Sequence, residues 1–126
     1  MSRWSIANLI AFTVFGLAAQ DLPQLEQWIR AERFQDALPG LEAYVREHPE
    51  SSEAAYKLGY VYFRVRRMND AVKSLSACLA RSPGHADAHR VLGFALTALG
   101  RADLAEREFV RSLQAKPDLV GRRTAW

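Results

Sequence analysis

The chain has 126 residues, enough for one compact domain and too few for two of ordinary size. Apolar residues make up 49% and charged residues 25%, the balance of a folded globular protein, which excludes wholesale disorder. A net charge of +3 without a basic stripe is too small to track a phosphate backbone, so no nucleic-acid partner is expected, and the single cysteine, Cys78, excludes an internal disulfide.

At the N-terminus, "MSRWS" sets one positive charge, Arg3, ahead of the apolar run "IANLIAFTVFGLAA" from Ile6 to Ala19. Polar Gln20 and Asp21 follow. A cationic start, an apolar stretch and a small-residue end form the three-part secretory pattern, with cleavage after Ala18 or Ala19. As a helix the run would span about 21 Å, short of the roughly 30 Å hydrocarbon core of a bilayer. Residues 1–19 therefore read as a signal peptide, and the protein as exported, periplasmic or extracellular. A membrane tether through residues 6–19 is the alternative.

From Asp21 onward the sequence repeats with a period of 34. Pro49, Pro83 and Pro117 mark it, as do Ala37, Ala71 and Ala105, and Leu41, Leu75 and Phe109. Leu58 and Leu92 recur at the same interval, and so do Gly59 and Gly93. With proline near 5% of residues, two further prolines falling in phase is roughly a one-in-400 coincidence. Three units follow, at about 20–51, 52–85 and 86–119, each of two helices, A and B. Residues 120–126 are left as a tail or the start of an incomplete fourth unit.

In the first unit Asp21 and Pro23 open helix A, "LPQLEQWIRAERF", and "QDALPGLEAYVREHP" is helix B, with Pro39 in its tolerant first turn. In the second, Ser51 or Ser52 caps a helix A from about Glu53 to Arg66. "RMND" turns the chain, and helix B runs from about Asp70 to Arg81, where Pro83 stops it. In the third, helix A covers about Ala86 to Leu99, "GRAD" is the turn, and helix B covers about Leu104 to Lys116. Gly100 stands where a helix wants a left-handed exit residue. A mid-helix glycine costs up to about 1 kcal/mol relative to alanine. Gly59 and Gly93 therefore predict a close approach to helix B, at Ala71 and Ala105, with Tyr62, Leu75 and Leu79 filling the space around it.

This pattern resembles the tetratricopeptide repeat family over roughly Asp21 to Leu119. The resemblance is carried by Leu58, Gly59, Tyr62, Ala71, Leu75 and Pro83, then Leu92, Gly93, Leu96, Ala105, Phe109 and Pro117. A related RNA-reading family of helical pairs has a period of 35, which 34 disfavours. The resemblance implies an all-α fold, a right-handed superhelix of antiparallel helix pairs, whose A helices line a concave face. His89 and Ala55 stand where the family often has a large apolar residue, which implies slightly weaker packing there.

The second unit's A helix carries two apolar stripes rather than one. Leu58, Tyr62 and Val65 fall on one side, and Tyr56, Tyr60 and Phe63 on nearly the opposite side. The first stripe is assigned to the core and the second, with Arg64, to the groove, joined from the third unit by Arg90 and Phe94. The first unit contributes Glu26, Ile29 and Arg30. Aromatic rings at roughly 150–250 Å² each make a contact patch, and the two arginines could grip a carboxylate. The bland alternative has Phe63 and Phe94 simply packing between adjacent A helices. The family's chaperone-tail binders are implied to use a lysine and asparagine clamp at places that Tyr56 and Tyr60 occupy here, so that specificity is not expected.

Other constellations carry little. His85, Asp87 and His89 lie within one turn, but without a "HExxH" pattern and with His89 facing the core stripe, metal binding is not expected. Cys78, between Leu75 and Leu79, reads as a core filler, and "RVRR" from Arg64 as a solvated turn. No nucleophile triad or phosphate-cradling loop is visible, so neither an enzyme, a cofactor nor a small-molecule substrate is expected. The sequence reads as an exported adaptor that binds a peptide or protein segment in its groove. The alternative is a structural subunit that forms a homo-oligomer through the apolar outer side of its last helix, around Leu104, Phe109 and Leu113, or a shortened member of a larger array.

Overall fold

The computed structural model describes residues 21–116, so the apolar run at 6–19 and the tail at 120–126 lie outside the described residues. Six helices follow one another: α1 (Leu22–Arg30), α2 (Phe34–Glu47), α3 (Ser52–Arg64), α4 (Met68–Arg81), α5 (Ala86–Ala98) and α6 (Ala102–Ala115). No strand occurs among the described residues. They pair as hairpins α1–α2, α3–α4 and α5–α6 that stack in order, with α2 packing on α3 and α4 on α5, in an all-α solenoid.

Each hairpin turns in the same way, and tighter than expected. Glu32, Arg66 and Gly100, spaced at the repeat, hold φ of 57°, 68° and 75°. The residue after each sends its N–H back five positions, Arg33 to Trp28, Arg67 to Tyr62 and Arg101 to Leu96, all at 2.8 Å. The left-handed residues themselves bond back three positions at 3.0–3.1 Å. These paired bonds satisfy orphan carbonyls at the helix end, the Schellman arrangement. The guanidinium of Arg67 then lies 4.7 Å from the Tyr62 ring centroid and that of Arg33 5.8 Å from Trp28, closing two of the turns from above.

Because one left-handed residue suffices, the turns need only three residues, and several expected boundaries move. α1 ends at Arg30 and Phe34 opens α2 instead of closing α1; α3 ends at Arg64, α4 starts at Met68 and α6 at Ala102. Pro39 consequently sits in the second turn of α2, not the first. It is tolerated because it faces solvent, where water can serve the carbonyl its missing N–H abandons.

The core runs along the hairpin seams, with Leu25, Leu41, Val61, Leu75, Cys78 and Val91 fully buried. The close approach of A to B is real, and the atoms nearest each glycine belong to Leu75 and Phe109, with Ala71 and Ala105 buried in the same seams. A Cβ on Gly59 would stand 2.7 Å from Leu75 Cγ, and one on Gly93 2.6 Å from Phe109 Cε1. Leu75 and Phe109 are the large members of the repeat, and each lies over its glycine. His89 also departs from expectation. Its Nδ1 lies 2.6 Å from Glu108 Oε2 on α6 and its Nε2 2.7 Å from the Pro83 carbonyl oxygen. The buried ring thus ties α5 to the preceding turn and to α6. It replaces apolar packing with a polar bridge.

Candidate functional site

The residues expected to line a groove stand on α3 and α5, on the flank opposite the one that packs into the core. On α3, Leu58 and Tyr62 are buried as expected, while Val65 is only partly so. Across the helix, Tyr56, Tyr60 and Phe63 are half-buried: one side of each ring packs on the core edge, and the other is accessible. Arg64, Arg90 and Phe94 are exposed, Phe94 at 44%.

Five of the six residues fall into two groups, and Arg90 belongs to neither. In the first, the Tyr56 and Tyr60 rings are 6.4 Å apart, and Arg64 Nη1 donates to the Tyr60 hydroxyl at 2.9 Å. Two residues missed in the sequence complete it. Phe34, at the start of α2, meets the edge of Tyr60 at 6.0 Å, and the Arg64 guanidinium lies 4.7 Å from the Phe34 centroid. His85 packs its ring on Tyr56 at 4.7 Å. In the sequence Phe34 continues the apolar pattern of helix A, and the contact of His85 with Tyr56 joins residues 29 apart, which spacing along one helix does not reveal. In the second group, Phe63 stacks on Phe94 at 6.3 Å, and Phe94 meets Phe109 edge-on at 5.1 Å. Phe94 thus packs against α3 and α6 and still stays exposed.

The charges of this face are matched locally. Lys57 Nζ lies 3.3 Å from Glu26 and 3.0 Å from Glu53, joining α1 to α3. Arg64 reaches Glu32 at 3.5 Å, and Arg90 reaches Asp87 at the same distance. His85 Nε2 faces Glu53 at 3.4 Å, while its Nδ1 accepts the Ala88 N–H and caps α5. Burial would lower the Lys57 ammonium, but the Glu53 and Glu26 carboxylates bonded to it raise it overall. Burial, and then the Asp87 carboxylate, push the Tyr56 phenol up to about 12, against the Arg90 guanidinium. Tyr56 therefore keeps its proton at any physiological pH.

Between α1 and α3 these side chains leave a pocket of about 270 Å³ lined by Glu26, Ile29, Arg30, Tyr56, Lys57 and Tyr60. A larger, open cavity of about 640 Å³ lies between α4 and α6 over His89 and Leu92, away from the groove. Among the described residues no cluster of three His, Cys, Asp or Glu side chains could hold a metal ion. His85 and His89 turn to separate partners. Cys78 is fully buried, and that burial pushes its thiol up to about 11, so it is a core residue and not a nucleophile. No helix among the described residues is long and apolar enough to cross a membrane.

Two family models, both described as tetratricopeptide repeat, match residues 29–73 and 65–121. No curated protein sequence matches the chain significantly. A solved structure described as the crystal structure of MamA is similar at a TM-score of 0.74 and 26% identity, over 76% of this chain and 56% of that one. MamA from Desulfovibrio magneticus RS-1 is similar at 0.70 and 21%, over 76% and 54%, a likeness of fold alone. The chain thus spans a little over half the length of these MamA chains. Helical hairpins stacked at the 34-residue interval and two overlapping family matches lead to one assignment: the chain belongs to the tetratricopeptide repeat family.

Proposed function

We propose that the protein is an exported, noncatalytic adaptor that docks a peptide or protein segment along its concave face. The observation that carries this reading is the row of half-exposed rings on α3, Tyr56, Tyr60 and Phe63, continued by exposed Phe94 on α5. A helix flank facing solvent is ordinarily polar, and a contiguous aromatic flank is a contact surface. Tyr56, Tyr60, Phe63 and Phe94 supply apolar area; Arg64 and Arg90, exposed at its edge, orient the segment. Repeats of this family are interaction modules, which supports a role in binding and no chemistry.

A binding comparison of wild type with Tyr60→Ala plus Arg64→Ala tests it, by pulldown from the native extract followed by titration of each captured protein. Loss of about tenfold or more in affinity for a specific partner is expected. Unchanged capture of every partner would remove the groove from the account. Export is tested separately by the N-terminal residue of the protein recovered from the producing cells, which should be Ala19 or Gln20. Val110 and Leu113 on α6 are 46% and 45% exposed, and they support a second reading, self-association through that face. Light scattering across concentration decides it, since a monomer at every concentration excludes it.

A further inference from the structure

We infer that the pocket between α1 and α3 receives one uncharged aromatic or branched aliphatic side chain from an extended partner segment, and that no partner carboxylate is bound there; this rests on the concave-face reading above. At about 270 Å³ the pocket lies just below the roughly 300–1,000 Å³ of small-molecule sites, so its size suits a single anchoring side chain. Ile29, Tyr56 and Tyr60 give it apolar walls.

Charge complementarity excludes the other anchors. Of the two cations lining the pocket, Lys57 has a side chain only 18% exposed and already touches two carboxylates, while Arg30 is exposed, where an ion pair contributes only about 0–1 kcal/mol. An incoming carboxylate would have to displace Glu26 or Glu53 and then lie beside the displaced group, two like charges in a half-buried site. An incoming ammonium would meet Lys57 and Arg30. The arginines farther along the groove are engaged as well, Arg64 with Glu32 and the Tyr60 hydroxyl and Arg90 with Asp87. A neutral side chain meets none of these penalties. It covers ring faces that are otherwise wet, while the exposed Arg30 can lay its aliphatic stem along it.

The probe is a phage-displayed library of random peptides about ten residues long, selected on the purified chain. A labelled synthetic copy of the best binder is then titrated by fluorescence anisotropy. Binders are expected to share Trp, Phe, Tyr, Leu or Ile at one position, and alanine or glutamate there should weaken binding about tenfold or more. Kd should change less than about twofold between about 50 and about 500 mM NaCl. Ile29→Ala and Tyr56→Ala, each checked for retained helix content by circular dichroism, should lose binding; Lys73→Glu, at an exposed position on α4 outside the pocket, should leave it within about twofold. Binders that share Asp or Glu and weaken tenfold or more with salt would overturn the inference and leave groove docking standing. Aromatic binders indifferent to both pocket variants would overturn it too, as would a second copy of the chain that occupies the site and is competed by the peptide. If wild type retains no peptide, the docking reading falls with it.

Discussion

Arg66 shows how much a single residue's backbone matters in this protein. It is exposed and carries φ of 68°, a region where a side chain's Cβ is crowded and glycine is at ease. The third repeat solves the same turn with Gly100. Relief of the left-handed strain, about 1–2 kcal/mol, exceeds the added chain entropy of glycine, about 0.5–1 kcal/mol. Arg66→Gly should therefore raise unfolding free energy by about 0.5–1 kcal/mol in urea titration. Glu32 is a poorer test, because it also holds Arg64. His89 is the opposite case, a polar residue whose removal is costly. Its side chain is 7% exposed and that of Glu108 12%, and Arg111 reaches the same carboxylate at 3.0 Å. His89→Ala leaves a cavity and a half-stranded carboxylate, and should destabilise by about 3 kcal/mol in the same titration.

Among the elements, α3 and α5 are held to α4 and α6 through glycine contacts that leave no room for a methyl group. Leu75 is fully buried and its backbone nitrogen would lie 3.2 Å from a Cβ at Gly59, so the crowding cannot be relieved by rotating an exposed side chain. Gly59→Ala improves helix propensity, but it should still cost about 1–3 kcal/mol from overpacking. Gly84 is the internal control. Nothing stands within 4 Å of a Cβ there, so Gly84→Ala should leave the melting temperature nearly unchanged. If both substitutions behave alike, the wedge account fails. Element boundaries were harder to read than the elements themselves. The hydrophobic period marks where a helix faces inward, whereas its last residue is set by whichever backbone turns left-handed. Two of the three residues that do so here are charged.

At the scale of the whole molecule, contacts among the described residues run chiefly between helices consecutive in the chain, with α3 also touching α5, so stability should fall toward the ends of the stack. α3, α4 and α5 are covered on both sides, whereas α1 meets chiefly α2. Hydrogen exchange followed by mass spectrometry should find the slowest amides in α3, α4 and α5, and α1 opening first. Uniform protection along the stack would mean that the hairpins unfold as one cooperative block.

By itself the sequence determined the number of helices, their pairing and the two-sided character of α3. All three follow from periodic apolar patterning, which records burial directly. It also singled out Tyr56, Tyr60, Phe63, Arg64, Arg90 and Phe94 as one face. Only the tertiary structure decided what those side chains touch. The division into two aromatic groups, the arrival of Phe34 and His85 beside the tyrosines, and the engagement of Lys57 by Glu26 across α1 and α3 depend on distances between residues far apart in the chain. Spacing along one helix carries no information about such distances, because they are set by how closely the hairpins stack.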